Sequence, residues 1–233
     1  MDTIIFDVDD TLYDQLLPFK NTVKQQFQQD FIDAELEALY ITSRKYSDEV
    51  FEKHMNGGEI TALELQTYRI TKACEEFGLA ISYQDAVSFQ QKYLQEQKQI
   101  TLFEELKQLL DHLLSQKKQL AILTNGEEAH QMMKVKQLGL SHWIPATHIF
   151  VSGAIGHSKP SREVFRYMED QLKLNKEKTV YIGDSYENDI VGAKQMGWQA
   201  IWMNHRKRTI DLPKWQPNYT AYHPKELVSW FLK

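Results

Sequence analysis

Five short runs of the chain are mostly apolar: Thr3 to Phe6, Leu120 to Leu123, His148 to Val151, Thr179 to Ile182 and Ala200 to Met203. They lack the clear period-2 alternation of a half-exposed strand, which marks strands covered on both faces. Between the later runs the apolar positions recur at helical spacing. Leu106, Leu109, Leu110, Leu113 and Leu114 form one core-facing stripe, and Val164, Phe165, Met168 and Leu172 form another. Strand–helix alternation of this kind predicts an α/β fold built on a doubly wound parallel sheet. Sites in such sheets lie beyond the carboxyl ends of the strands.

Residues 15–99 break the alternation. They contain no convincing strand and are rich in Gln, Glu, Leu, Phe and Tyr. Phe27 with Phe31, and Leu63, Ile70, Cys74 and Phe77, are expected to share helix faces. Gly57-Gly58 interrupts the pattern, and Thr61 with Glu64 has the spacing of a capping box that restarts it. The expected organisation is therefore a sheet-based core of residues 1–14 and 100–233, with a helical bundle of residues 15–99 inserted after the first strand and hanging over the site. Pro213 to Pro224 reads as a loop, and Glu226 to Leu232 as a last short helix.

The polar residues that end the apolar runs carry the chemistry. Asp7 and Asp9 close the first run as Phe6-Asp7-Val8-Asp9-Asp10-Thr11-Leu12. Paired acids at the exit of a buried strand are costly unless a cation or a reaction needs them. Three further pieces follow: Leu123-Thr124-Asn125-Gly126, Ser158-Lys159-Pro160, and Gly183-Asp184 with Asp189 beyond it. Brought to one sheet edge, they make an acidic pocket able to hold a metal and a phosphate. Asp7 is the expected nucleophile, forming an aspartyl-phosphate. Asp9 is the expected general acid and base. Mg²⁺ prefers oxygen donors; the carboxylates of Asp7 and Asp184 and the backbone carbonyl of Asp9 would supply them. Asp189 would orient a metal-bound water or Lys159. The Thr124 hydroxyl and the Asn125 backbone N–H would bind phosphoryl oxygens, and Lys159 would neutralise the charge that develops there.

Composition narrows the partners. Apolar residues make up 42% and charged residues 25% of the 233 residues, enough for a core in an ordinary globular chain. A net charge of −5 argues against a nucleic-acid polymer but leaves a small phosphorylated metabolite open. The single cysteine, Cys74, allows no internal disulfide. The N-terminal residues lack the pattern of a signal peptide, and no segment reaches the roughly 18 apolar residues of a membrane span. The expectation is a cytoplasmic protein without membrane partners, monomeric or weakly dimeric.

Four motifs in this order, DVDDT, LTNG, the lysine of SKP and GDSYEND, resemble those of the haloacid dehalogenase-like hydrolase superfamily. Val151-Ser152-Gly153-Ala154-Ile155-Gly156 ahead of Lys159 is similar as well. The resemblance implies a Rossmann-like core with a four-helix cap inserted after the first motif, and Mg²⁺-dependent phosphomonoester hydrolysis. Within that family, Gly58-Glu59-Ile60-Thr61 and Ile201-Trp202-Met203-Asn204 look most like nucleotidases acting on nucleoside monophosphates. The chain departs from many relatives at Leu102-Phe103-Glu104-Glu105 and at Asp10, where Pro-Gly and Gly respectively are frequent. Alternatives are a phosphatase acting on a sugar phosphate or phosphoglycolate, a phosphomutase, a 2-haloacid dehalogenase, or a receiver-like binding protein. Asp9 argues against the dehalogenase, because a halide leaves without a proton. No aspartate ends the second run, which argues against the receiver.

The remaining polar residues read as structural. Asp10 and Asp14 are expected to be turn or surface acids, Arg206-Lys207-Arg208 an exposed loop, and Arg44, Lys45 and Arg69 solvated helix faces. The scattered histidines, His157 among them, suggest no zinc site. The aromatics Tyr40, Tyr46, Phe51, Tyr68 and Phe77 are expected in the helical core.

Overall fold

The computed structural model describes residues 1–55, 60–211 and 213–232, with side chains left out at 48 and 51–55. The expectations for Gly57-Gly58, for Gly58-Glu59 and for the Phe51 side chain lie outside the described residues. The chain divides into two compact units, one of Met1–Asp14 with Thr101–Lys233 and one of Gln15–Ile100.

The first unit is built on a parallel six-stranded sheet. Its strands are β1 (Thr3–Phe6), β2 (Gln119–Thr124), β3 (Ile149–Val151), β4 (Thr179–Gly183), β5 (Gln199–Met203) and β6 (Tyr219–Ala221), in the order β3-β2-β1-β4-β5-β6. This is the α/β, Rossmann-like arrangement that the apolar runs predict. The chain leaves β1 to one side through β2 and β3, then returns to the other side through β4. The carboxyl end of β1 therefore lies at the topological switch point, where ligands bind in doubly wound sheets. The sixth strand contradicts the reading of Pro213 to Pro224 as all loop. It has three residues on the sheet's edge, and among them Ala221 alone is fully buried.

Ile5, Ala121, Leu123, Tyr181, Ala200 and Trp202 line one sheet face and pack against Val164, Phe165 and Met168. Among the described residues the α-helices are α1 (Leu16–Gln26), α2 (Asp33–Met55), α3 (Ala62–Glu76), α4 (Tyr83–Gln97), α5 (Glu104–Ser115), α6 (Glu128–Gln137), α7 (Ser152–Ile155), α8 (Arg162–Leu172), α9 (Gly192–Gln195) and α10 (Pro224–Phe231). A π-helical turn, Tyr186–Val191, precedes α9. Helix α5 buries Leu106, Leu109, Leu110 and Leu113, whereas Leu114 is exposed at the margin of the stripe.

Among its described residues, the regular structure of the second unit is all helical. Phe19 centres its core, edge-on to Tyr40, Phe89 and Tyr93, with Leu36, Leu39, Ile70 and Cys74 around it. Thr61 and Glu64 do form a capping box at the start of α3, and Ser82 with Asp85 forms another at α4. The buried face of α3 runs through Leu65, Ile70, Ala73 and Cys74, while Leu63 and Phe77 are exposed. Phe27 and Phe31 meet edge to face across the turn between α1 and α2 rather than on one helix. Tyr40 is buried, and Arg69 is bound to Gln90 and lies over the Tyr93 ring rather than on a solvated face. Burial pushes the Cys74 thiol up to about 12, so it stays protonated and inert. Among the described residues, no helix is long and apolar enough to cross a membrane.

Candidate active site

The parallel sheet puts the ends of β1, β2 and β4 on one edge, and the acidic motifs converge there. Asp7 follows β1 directly, its backbone N–H donating to the Ile182 carbonyl of β4 at 2.9 Å. Its side chain is buried. Lys159 Nζ lies 2.8 Å from Asp7 Oδ1, 2.6 Å from Asp189 Oδ1 and 2.8 Å from the Tyr181 hydroxyl. The Tyr181 hydroxyl in turn donates to the Leu123 carbonyl at 2.7 Å, which fixes it as the acceptor for Lys159. Tyr181, which the sequence reading did not single out, is thus a strut reaching from β4 under the lysine.

Two features of the local chain set these positions. The Asn125 side chain forms a reciprocal pair with the backbone of Lys159, accepting from its N–H at 2.9 Å and donating to its carbonyl at 3.0 Å. The loop carrying Lys159 is thereby pinned to the end of β2. Asp189 sits in the π-helical turn after β4, and its second oxygen accepts from the Ser185 N–H at 2.9 Å. A Cβ on Gly183 would stand 2.2 Å from Asp189 Oδ2, so the glycine is what admits this carboxylate. Gly183→Ala is expected to displace Asp189 from Lys159 and to cost about 1–3 kcal/mol in chemical denaturation. A variant as stable as the parent would contradict that role.

Asp184 ends β4. One of its oxygens receives Arg208 Nη1 at 3.0 Å, and its carbonyl accepts from Trp202 Nε1 at 2.8 Å. Asp7, Asp184 and Asp189 each offer an oxygen, and these oxygens lie within 4.8 Å of one another. So dense a cluster, with Asp7 and Asp189 buried and Asp184 partly so, is electrostatically unfavourable. Burial, offset by Lys159 and reinforced by Asp189 and Asp9, raises Asp7 to about 6. Burial also raises Asp184 well above the carboxylate range, against the pull of Arg208. Burial alone would lower Lys159, but Asp189 and Asp7 outweigh it and hold its ammonium above the usual lysine range. An all-oxygen donor set with excess negative charge suits a hard divalent cation of the Mg²⁺ type, which would relieve both carboxylates.

Asp9 is placed apart from this cluster. Lys134 Nζ, on α6, is 2.7 Å from both of its oxygens; Gln131 Nε2 donates at 3.0 Å and the Tyr13 hydroxyl at 2.5 Å. Thr124 ends β2, buried, with its hydroxyl 3.4 Å from Gln131 Oε1. Gln131 and Lys134 were not among the candidates read from sequence. A signal was present: with Val135 and Leu138 they form an i, i+3, i+4, i+7 stripe, so α6 places an amide and an ammonium on its buried face.

The structure also corrects two expectations. Asp10 does lie in a turn, with a φ of 57°, but not at the surface: it is 1% exposed, with Arg206 bound to both of its oxygens, Arg208 at 3.5 Å and His205 at 3.4 Å. Burial pushes Asp10 up, yet His205 and Arg206 hold it well below the usual carboxylate range. Arg206-Lys207-Arg208 is accordingly not a plain exposed loop. Asn204 clamps the turn by bonding both the N–H and the carbonyl of Arg208, and the two arginines face Asp10, Asp14 and Asp184. They neutralise part of the acidic edge from behind.

A family model described as haloacid dehalogenase-like hydrolase matches residues 1–197. The chain is 29% identical to the HAD-hydrolase YfnB of Bacillus subtilis, covering 97% of this chain and 93% of the relative. The crystal structure of YfnB bound to magnesium matches with a TM-score of 0.71 at 26% identity, covering 98% of this chain and 97% of that one. The pyrimidine 5'-nucleotidase PynA of Streptococcus pneumoniae is 27% identical, with 97% of this chain and 92% of the relative covered. The L-2-haloacid dehalogenase of Xanthobacter autotrophicus, 15% identical with a TM-score of 0.75, covers 100% of this chain and 98% of that one and shows the shared fold alone.

Proposed function

The chain belongs to the haloacid dehalogenase-like hydrolase family, and on that premise we propose that it hydrolyses small phosphomonoesters through a phosphorylated Asp7, with Mg²⁺ as cofactor. The observation that carries this reading is the buried constellation at the end of β1: Asp7 on Lys159, Lys159 on Asp189, and Asp184 beside them. The carboxylates of Asp7 and Asp184 and the backbone carbonyl of Asp9 would hold the ion. When bound, the ion supplies positive charge that lets an anionic nucleophile meet an anionic phosphate.

The chain's own residues do the rest. One carboxylate oxygen of Asp7 attacks phosphorus and the ester P–O bond breaks, with Asp9 delivering a proton to the departing alkoxide. Water then attacks the phosphorus of the aspartyl-phosphate. Asp9 takes its proton, and the P–O bond to Asp7 breaks to release phosphate. Lys159 stabilises charge on the phosphoryl oxygens, joined by the Thr124 hydroxyl and the Asn125 backbone N–H. The Asn125 side chain is engaged in holding Lys159, which supports assigning the backbone rather than the amide to phosphate.

The same nucleophile serves a haloacid dehalogenase, but displacing a halide needs neither a proton donor nor a cation-hungry acidic cluster. Asp184 and Asp189 therefore favour phosphorus over carbon as the reacting centre. The likeness to PynA supports a nucleoside monophosphate as substrate. Residues 15–99 would act as a cap that sets the choice of leaving group, since the core residues address the phosphoryl group alone.

The test is phosphate release with Mg²⁺ across nucleoside monophosphates, sugar phosphates, phosphoglycolate and p-nitrophenyl phosphate, with chloride release from 2-chloropropionate run beside it. Phosphate release that is abolished by chelator and restored by Mg²⁺ is expected. Activity undiminished in chelator removes Asp184 from its role, and chloride release without phosphate release overturns the reading.

A further inference from the structure

We propose that Lys134, together with Gln131, is the positioning pair for Asp9, an inference that rests on Asp9 being the acid and base of the phosphatase reading. A carboxylate has about four lone-pair sites. Here four hydrogen bonds fill them: Tyr13 and Lys134 on Oδ1, Lys134 and Gln131 on Oδ2. The Lys134 side chain is 3% exposed and that of Asp9 14%. A buried lysine straddling both oxygens fixes the plane of the carboxylate as well as its position.

Gln131 adds registration. The same Nε2 that meets Asp9 lies 3.1 Å from the Asn125 carbonyl. It thus ties the proton-transfer group to the turn that would hold the phosphoryl oxygens. Gly126 opens the way for it: a Cβ there would stand 2.7 Å from Gln131 Nε2, and its φ of +148° is one that side chains rarely adopt. The glycine of Thr124-Asn125-Gly126 therefore has a purpose beyond the turn. To act as acid, Asp9 gives up one of its four bonds so that this oxygen carries a proton, which passes to the leaving-group oxygen; the attacking water then returns a proton to the same site. The bonds that remain keep the carboxylate in line.

A residue acting through Asp9 leaves a signature that general damage does not. With p-nitrophenyl phosphate the nitrophenolate departs without a proton, so the first turnover does not need Asp9 and the second step does. Lys134→Met is expected to keep the rate of the nitrophenol burst while slowing the steady state. With an alkyl phosphomonoester its kcat is expected to fall about tenfold with KM within about threefold. Lys134→Arg should recover most of that loss. In an Asp9→Asn background, Lys134→Met should cost nothing further. Should Lys134→Met fail to fold, Lys134→Gln, which keeps one donor to Asp9, is read the same way.

Equal slowing of burst and steady state, or a loss that multiplies that of Asp9→Asn, would overturn the role of Lys134 and leave the phosphatase reading intact. Full activity of Asp9→Asn would overturn both at their common root.

Discussion

Asp7→Asn is expected to bring Mg²⁺-dependent phosphate release to background, a loss of about 10⁴-fold or more, in a protein that melts no lower than the parent at neutral pH. The amide is isosteric with the carboxylate but cannot serve as its nucleophile. Lys159 keeps Asp189 and Tyr181, so the ammonium stays compensated. Stability follows from the sign of the Asp7 shift. Its folded value is raised from 3.8 to about 6, chiefly by burial. Between those values the folded protein holds a proton that the unfolded chain has released. The Asp7 contribution to stability therefore falls as pH rises through that window, and above it the ionised group is a net liability in metal-free protein. Asn removes the liability. In chelator, the difference in Tm should favour the variant at pH 7 and vanish below pH 4. Mg²⁺ should then raise the Tm of the parent more than that of the variant. Parental phosphate release by Asp7→Asn would remove Asp7 as nucleophile, and a lower Tm at pH 7 would contradict the electrostatic account.

What could be seen beforehand is what depends on short, contiguous pattern. β1, β2 and β4 are buried on both faces, so they read as unbroken apolar runs whose polar ends stand out. Parallel pairing then puts those ends on one edge. β6 escaped notice because an edge strand of three residues, bounded by Asn218 and Tyr222, buries too little to leave a pattern. The partners of the acids were hidden for another reason. A lysine at 134 or an arginine at 206 reads as solvated by default, since cations are seldom buried unless paired. Whether a pair exists depends on contacts spanning 125 and 196 positions of chain, which local pattern does not encode. The burial of Asp10 was missed for the same reason: its partners lie in the turn clamped by Asn204, near the far end of the chain. The side chain of Asn125 carries a similar lesson. Its neighbour Gly126 marks a turn, but only the fold shows that the amide is bonded to the backbone of Lys159.

Lys159→Met is expected to lower turnover by about 10³-fold and also to destabilise the protein by about 3–5 kcal/mol at neutral pH, the range for leaving buried charge without its partner. The size comes from where the ammonium sits. It is nearly inaccessible, 2.6–2.8 Å from the buried carboxylates of Asp7 and Asp189. Methionine fills much of the space but supplies no charge, so Asp7 and Asp189 would face each other with Asp184 nearby. The deficit should depend on pH in a definite direction. Without the ammonium the Asp7 carboxyl should hold its proton to still higher pH, above the value of about 6 that it has with Lys159 in place. The folded variant then binds protons that the unfolded chain releases, and acid stabilises it relative to the parent. Chemical denaturation in chelator at pH 5.5 and pH 8 measures this, and the gap between parent and variant should be larger at pH 8. A divalent cation at pH 8 should narrow the gap, because it supplies the missing positive charge among the same three carboxylates. The activity loss should remain in that condition, since the cation does not replace a donor to the phosphoryl oxygens. A gap equal at both pH values would mean that Lys159 stabilises the core by packing alone. Recovery of turnover by the cation would mean that its charge acts on the carboxylates and not on the substrate.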